Sequence, residues 1–253
     1  MTAPRPTGTS ADPPRGSGPA WERPGARPGV PANLCLFDLD HTLLPIDSDH
    51  AWGEFVTRLG WVDAAEFGRR NDAFYAQYQA ARLDIHEYIA FATEPLRARS
   101  PDQLAAAQRR FMAEVIAPAL RPQALELVRA HQSRGDLVAL VTATNDFITA
   151  PIARAFGIAD LLAVRLARDT GGTITGRIAG TPSYRDGKVT RVQEWLAGHR
   201  AVWSDFDRIS VYSDSVNDLA LLDRATDPVA TNPSPALQVI AEARGWRILK
   251  LFD

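Results

Sequence analysis

Short apolar runs recur along this chain, separated by helix-patterned sequence, and that alternation leaves few folds open. Asn33 to Phe37 (NLCLF) is one such run and ends in Asp38. Leu137–Val141, Leu161–Leu166, Arg208–Tyr212 and Trp246–Leu251 are similar, with Pro228–Thr231 a shorter candidate. Runs of this kind read as buried strands. Between them, Pro122–Arg134 carries apolar residues at helical spacing, opens on Pro122 and closes on Gly135, a usual start and stop. Phe147–Phe156, Lys188–Leu196, Val216–Leu222 and Pro235–Ala243 read as helices too. Strands alternating with helices imply an α/β fold, a parallel sheet with helices on both faces. Thr173–Arg177, after Gly171-Gly172, reads as one arm of a small hairpin with the strand before it.

One stretch breaks the alternation. Between the first strand and Pro122, the segments Ser48–Leu59, Asp63–Ala81, Ile85–Leu96 and Pro101–Ile116 all read as helices. This implies an inserted all-helical domain over residues 46–118, set on a core of 32–45 and 119–253. Its many aromatics are expected to form mostly its own core. Residues 1–31 hold eight of the 18 prolines and five of the 17 glycines. Such sequence buries too little surface to offset its ordering entropy, so a disordered tail is expected.

Composition excludes several function classes. The net charge is −2, with no basic run of the kind that binds a nucleic-acid backbone. No stretch approaches a membrane span, and the N-terminus lacks the apolar segment of a secretory signal. The single cysteine, Cys35, cannot form an internal disulfide. A cytoplasmic protein, monomeric or homodimeric, is expected. Of 28 basic residues, only Lys188 and Lys250 are lysines. A lysine retained against such a background hints that arginine would not serve in its place.

Four groups of residues carry candidate chemistry. The first strand runs into Asp38-Leu39-Asp40-His41-Thr42. Ligands of open parallel sheets bind at the carboxyl ends of strands. Two carboxylates there repel unless a cation intervenes, and hard oxygens suit Mg²⁺. Thr142 follows the second strand, where its hydroxyl could bind a phosphoryl oxygen or cap a helix. Lys188, in Asp186-Gly187-Lys188, opens a helix against the dipole, so either an anion favours it or it is a solvated surface lysine. Ser213-Asp214-Ser215-Val216-Asn217-Asp218 follows Arg208–Tyr212. Asp214 and Asp218 could face one crevice, or one of them could cap the next helix.

In this order, the four groups resemble the motifs of the haloacid dehalogenase superfamily: Asp-x-Asp-x-Thr, a strand-terminal Ser or Thr, a Lys, and Asp-Ser-x-x-Asn-Asp. The resemblance covers about residues 33–253. The helical insertion after the first motif resembles the cap of the subgroup that includes the phosphoserine phosphatases and histidinol-phosphatase-like enzymes. What it implies is a Rossmann-like core with a mobile cap and a Mg²⁺-dependent phosphomonoesterase acting on a small-molecule phosphate ester. Asp38 would be the nucleophile and Asp40 the general acid and base. Thr142 and Lys188 would hold phosphoryl oxygens. Asp38, Asp40 through its carbonyl, and Asp214 would ligate Mg²⁺. Asn217 and Asp218 would orient metal-bound water and Lys188.

Substrate choice is expected in the cap. In phosphoserine phosphatases an acid about nine residues after the nucleophile meets the substrate ammonium, and Asp47 stands at that spacing, with Asp49 nearby. Either could bind an amine, or one could merely cap the first cap helix. The two glycines that follow the strand-terminal Ser in those enzymes are Ala143 and Thr144 here, so another small amine-bearing phosphate, such as histidinol phosphate, fits as well as phosphoserine. Ser213 stands where a Gly usually precedes the fourth motif. Other readings are phosphotransfer to an acceptor other than water, a non-catalytic phosphate-ligand binder, and a receiver-like signalling domain. The intact Asp38, Asp40, Lys188 and Asp214 weigh against the binder, and the helical insertion weighs against the receiver.

Overall fold

The computed structural model describes residues 29–252. The expected disordered tail therefore lies, apart from residues 29–31, outside the described residues. Six parallel strands form the main sheet in the order β3-β2-β1-β6-β7-β8. They are β1 (Asn33–Phe37), β2 (Leu137–Asn145), β3 (Asp160–Val164), β6 (Arg208–Ser213), β7 (Asp227–Thr231) and β8 (Arg247–Leu249). Strand order reverses at β1, which lies between β2 and β6, so the crevice at its carboxyl end is where such sheets hold ligands.

Alternation along the strands explains why both faces are covered. Leu34 and Leu36 join one buried layer with Val192, Val211 and Leu237, while Cys35 and Phe37 join the other with Val128, Ile148 and Tyr212. A strand buried on both faces must be apolar throughout, which is why β1 reads as a continuous run. The expected strand Leu161–Leu166 is two. Backbone pairing with the main sheet ends at Val164, and Leu166–Arg168 (β4) pairs antiparallel with Ile174–Ile178 (β5) as a separate hairpin. The apolar run spans the junction because β3 is buried at its end and β4 at its start, which hides the break in the sequence.

The insertion is helical: α1 (Ser48–Arg58), α2 (Ala64–Gln79), α3 (Ile85–Ala92), α4 (Glu94–Arg97) and α5 (Pro101–Phe111). A π-helical turn at Met112–Ile116 leads into the short α6 (Ala117–Ala119). The expected single helix Ile85–Leu96 breaks at Thr93, where Pro95 opens α4 in its first turn. The aromatics do not make a separate core. Trp52, Phe55, Phe91 and Phe111 belong to the same buried layer as Cys35 and Phe37, and Trp52 packs edge-on against Phe147 of the core at 5.4 Å. The sheet's outer helices are α7 (Pro122–Ser133), α8 (Asp146–Ala155), α9 (Asp186–Gly198), α10 (Leu219–Leu222) and α11 (Pro235–Arg244). The expected helix Val216–Leu222 is a 3-10 turn over Val216–Asp218 followed by α10.

Among the described residues no helix is long and apolar enough to cross a membrane. The start of α9 is tightly packed: a Cβ on Gly187 would lie 2.1 Å from the Pro182 carbonyl oxygen. Backbone cannot give way as a flexible side chain can, so Gly187→Ala should cost about 1–3 kcal/mol. Urea denaturation of the two proteins measures this, and an unchanged midpoint would show that the approach is relaxed in solution.

Candidate active site

The carboxyl ends of β1 and β6 bring together the residues expected to carry the chemistry. Lys188, in the first turn of α9, is 1% exposed and points its ammonium at two carboxylates. Its Nζ donates to Asp38 Oδ1 at 2.8 Å and to Asp218 Oδ2 at 2.8 Å. Burial alone would lower an ammonium pKa, but the charges of Asp218 and Asp38 outweigh it and raise Lys188 above its ordinary value. Asp38 and Asp218 are themselves raised by burial, with Lys188 opposing the shift. A charged lysine is thus locked in place, its position set by acids on two different strand ends. This explains why a residue so rare in the chain is found here: an ammonium is compact, and three rotatable donors fit where a planar guanidinium would not.

Thr42 supplies a contact that the sequence reading left without a role. Its Oγ1 lies 3.3 Å from Asp38 Oδ2 and 3.2 Å from Asp214 Oδ1, and accepts the Asp214 N–H at 3.0 Å. It therefore ties β1 to the loop after β6. Asn232 fixes the same turn from β7, donating to the carbonyls of His41 and Thr42. Ser213, in place of the usual glycine, donates to Asp218 Oδ2 at 2.7 Å and so helps aim the acid that holds Lys188.

Asp40 faces the other side of the crevice. Its Oδ1 accepts the Ser48 N–H at 2.7 Å and its Oδ2 accepts the Thr144 hydroxyl at 2.8 Å. Burial and the nearby Asp47 push its pKa up to about 6, against those hydrogen bonds. A carboxyl in this range can give and take a proton near neutral pH. Thr142 is fully buried, accepts the Thr144 N–H, and lines a cavity with Asp38, Asp40, Ala143 and Thr144. Three consecutive strand residues share this wall because the β2–β3 register shifts between Val141 and Asn145. Such irregularities re-aim side chains beside functional sites.

Two sequence expectations are corrected or completed by the geometry. Asn217 does not reach Lys188. Its amide donates to the Tyr78 carbonyl at 3.1 Å and accepts from Arg185 Nε at 3.4 Å, while the Arg185 guanidinium also bonds the Ala81 carbonyl. Tyr78 lies in the last turn of α2 and Ala81 two residues past its end. Asn217 and Arg185 therefore fasten the cap to the core. Nothing in local spacing could reveal this, since the partners lie 139 residues apart. Asp47 and Asp49, left open as alternatives, both line the cavity: Asp47 also caps α1 by accepting the His50 N–H at 2.8 Å, and Asp49 is 6% exposed in the first turn.

Asp38 and Asp218 pair with one ammonium, and Thr42 links Asp214 to Asp38 beside them. Burial raises Asp214 well above the ordinary carboxylate range, and Asp38 and Asp218 raise it further. A divalent cation would relieve that repulsion. Among the described residues no group of three His, Cys, Asp or Glu forms a ready-made metal cage. That is no conflict, because Mg²⁺ takes one or two carboxylates and fills its octahedron with water and substrate phosphate. The carboxylates of Asp38 and Asp214 fit that demand.

Residues 35–223 match the haloacid dehalogenase-like hydrolase family. The chain belongs to this family. A histidinol-phosphatase of Neisseria meningitidis serogroup C (strain 8013) is 42% identical over 217 residues, covering 86% of this chain and 98% of that one. The phosphoserine phosphatase SerB1 of Mycobacterium tuberculosis (strain ATCC 25618 / H37Rv) is 33% identical, covering 84% and 69%. A crystal structure of a protein of unknown function from Bordetella pertussis Tohama I is 52% identical, with a TM-score of 0.82, and covers 87% and 99%. A substrate-bound phosphoserine phosphatase shares the fold at a TM-score of 0.61 with 18% identity, covering 85% and 91%. As a family member with such relatives, the chain is a phosphatase.

The lysine's role in the fold has a direct test. Lys188→Met leaves Asp38 and Asp218 buried without their cation, which should cost about 3–5 kcal/mol of unfolding free energy. Lys188→Arg should fail to restore it. Chemical denaturation reads both, and a Lys188→Met protein as stable as the parent would mean the acids are solvated.

Proposed function

We propose that the chain is a Mg²⁺-dependent phosphomonoesterase that works through an aspartyl-phosphate on Asp38 and takes a small amine-bearing phosphate ester. The observation that carries this reading is the Asp38 carboxylate, held by Lys188 and Thr42 beside Asp214 at the base of the cavity. Such restraint presents a carboxylate oxygen in a fixed direction, which an in-line displacement requires.

In the first step an Asp38 Oδ–P bond forms as the ester P–O bond breaks. The Asp40 carboxyl gives its proton to the departing alkoxide. In the second step Asp40 takes a proton from water, the water oxygen bonds phosphorus, and the Asp38 Oδ–P bond breaks. The pKa of Asp40, about 6, suits both directions. Lys188 and Thr142 hold phosphoryl oxygens, where charge spreads in a loose transition state. Mg²⁺, held by Asp38, Asp214 and the Asp40 carbonyl, would neutralise phosphate charge when bound. Asp218 acts through Lys188. The cap excludes water from the cavity, and Asn217 and Arg185 keep it seated.

The histidinol-phosphatase relative, matched over nearly its whole length, supports a small amine-bearing substrate. The acids Asp47 and Asp49 in the cavity support it as well.

The test is phosphate release from an aryl phosphate and from a panel of small esters, with Mg²⁺ and with chelator. Release should need Mg²⁺ and fall by more than about a thousandfold in Asp38→Asn. Transfer to an added alcohol faster than to water would instead make the protein a phosphotransferase. No release or transfer from any ester would leave it a phosphate-ligand binder.

A further inference from the structure

Each member of the Lys188–Asp218 ion pair has a neighbour in sequence that reaches the cap. Arg185 lies three residues before Lys188, and its carbonyl accepts the Lys188 N–H at 2.9 Å. Asn217 immediately precedes Asp218 in the 3-10 turn Val216–Asp218. The two side chains bond each other, Arg185 Nε donating to Asn217 Oδ1 at 3.4 Å. Both also donate to backbone carbonyls of the cap, Asn217 to that of Tyr78 and Arg185 to that of Ala81. The cap therefore grips the two segments that aim Lys188 and Asp218 at each other.

Backbone strain singles out Arg185 of the two. It has φ 51° and ψ −126°, and the Gly187 N–H donates to the Tyr184 carbonyl at 2.9 Å. This is a type II′ turn with Arg185 in the position that favours glycine. A residue with a Cβ keeps such a conformation only when its surroundings impose it. Glycine does stand two residues on, at Gly187, where the Pro182 carbonyl leaves no room for a Cβ. At 185 the backbone calls for glycine and the chain keeps an arginine. Its guanidinium has two anchors, the Ala81 carbonyl and the face of the Tyr184 ring, 5.3 Å from the ring centroid. Ala81 also has a positive φ, 52°. One hydrogen bond thus spans the seam between two left-handed residues, one ending α2 and the other opening α9. Arg185 is exposed, so water can replace the bond when the cap lifts.

We propose that Arg185 is a positioning residue that couples the seating of the cap to the seating of Lys188. With its guanidinium on the Ala81 carbonyl, the turn is held in its strained form, and α9 begins where the ammonium meets Asp38 and Asp218. With the cap lifted, the turn relaxes and the ammonium loses that aim. The site then reaches its working geometry only after the cap has closed. This inference rests on the phosphatase reading above, and goes beyond it by naming what links the cap to the reacting groups.

Two measurements test it, one from each side of the seam. Ala81→Pro perturbs the cap alone, because proline cannot adopt a positive φ and the carbonyl must leave Arg185. Amide hydrogen exchange over residues 187–191, whose own sequence is unchanged, should quicken at least about threefold. Exchange there at the wild-type rate would overturn the proposal. Steady-state kinetics then compare Arg185→Ala and Arg185→Lys on an ester that the wild-type protein hydrolyses. Arg185→Ala should lower kcat by about tenfold or more with KM within about threefold, because Lys188 acts on the transition state. Arg185→Lys keeps a donor for the Ala81 carbonyl and should return kcat to within about threefold of wild type. A rise in KM with kcat unchanged would make Arg185 a fastener of the cap and nothing more, and would overturn the coupling. So would an Arg185→Ala enzyme identical to wild type. If the wild-type protein hydrolyses no ester, the phosphatase reading falls, and hydrogen exchange in Ala81→Pro still decides the coupling.

Discussion

A single buried ammonium organises the site. Lys188 joins Asp38 on β1 to Asp218 beyond β6, and neither acid could remain charged in that interior without it. A desolvated ion pair is weak evidence of stability on its own, because the desolvation of its members offsets much of their attraction. Its value here is directional. The pair fixes the rotamer of the Asp38 carboxylate, and surrounding groups hold the pair itself: Ser213 on Asp218, Thr42 on Asp38, and the tight packing of Gly187 against Pro182 at the start of α9. Elements from four parts of the chain are therefore adjusted to one nitrogen atom.

The same economy governs how the cap meets the core. Its aromatics are continuous with the buried layer under β1, so the insertion adds to one hydrophobic body on that side. On the other side the contact is polar, made by Asn217 and Arg185 on the carbonyls of Tyr78 and Ala81. Arg185 adopts a positive φ of 51°, uncommon for a residue with a side chain. Tyr75 and Tyr78 of α2 lie between the cavity and a wider cleft lined by His41, Gln79 and Asp214. An apolar side and a polar side make an asymmetric seam, in which hydrogen bonds exchange with water more readily than buried rings do.

Much of this was legible in the sequence, and for physical reasons. A strand buried on both faces announces itself as an apolar run, and the first polar residue after it marks the sheet edge where ligands bind. That logic singled out Asp38 and Asp214, which Thr42 joins, and Thr142, which the structure places inside the longer β2 and on the same cavity wall as Asp38. It also located Lys188, because a lone lysine at a helix start in an arginine-rich chain demands a reason. The missed features depend on pairing across distance. The split of Leu161–Leu166 reflects a change of partner strand that burial does not disclose. The resemblance gave Asn217 a role beside Lys188, whereas its amide bonds the Tyr78 carbonyl and the Arg185 side chain, partners that no local pattern encodes. Asp47 and Asp49 both line the cavity, and only the helix they begin separates them, Asp47 also capping its backbone.

The chain's shortage of lysine has a practical side. Lys188 is sealed at 1% exposure and doubly paired, whereas Lys250 lies exposed near the end of the described chain, just past β8. Reagents that acylate side-chain amines thus meet one open target, at the carboxyl end of β8. Its neighbours Leu251 and Phe252 donate to Asn232, which holds the His41–Thr42 turn, so a dye attached at Lys250 would report on the same edge of the sheet as the crevice.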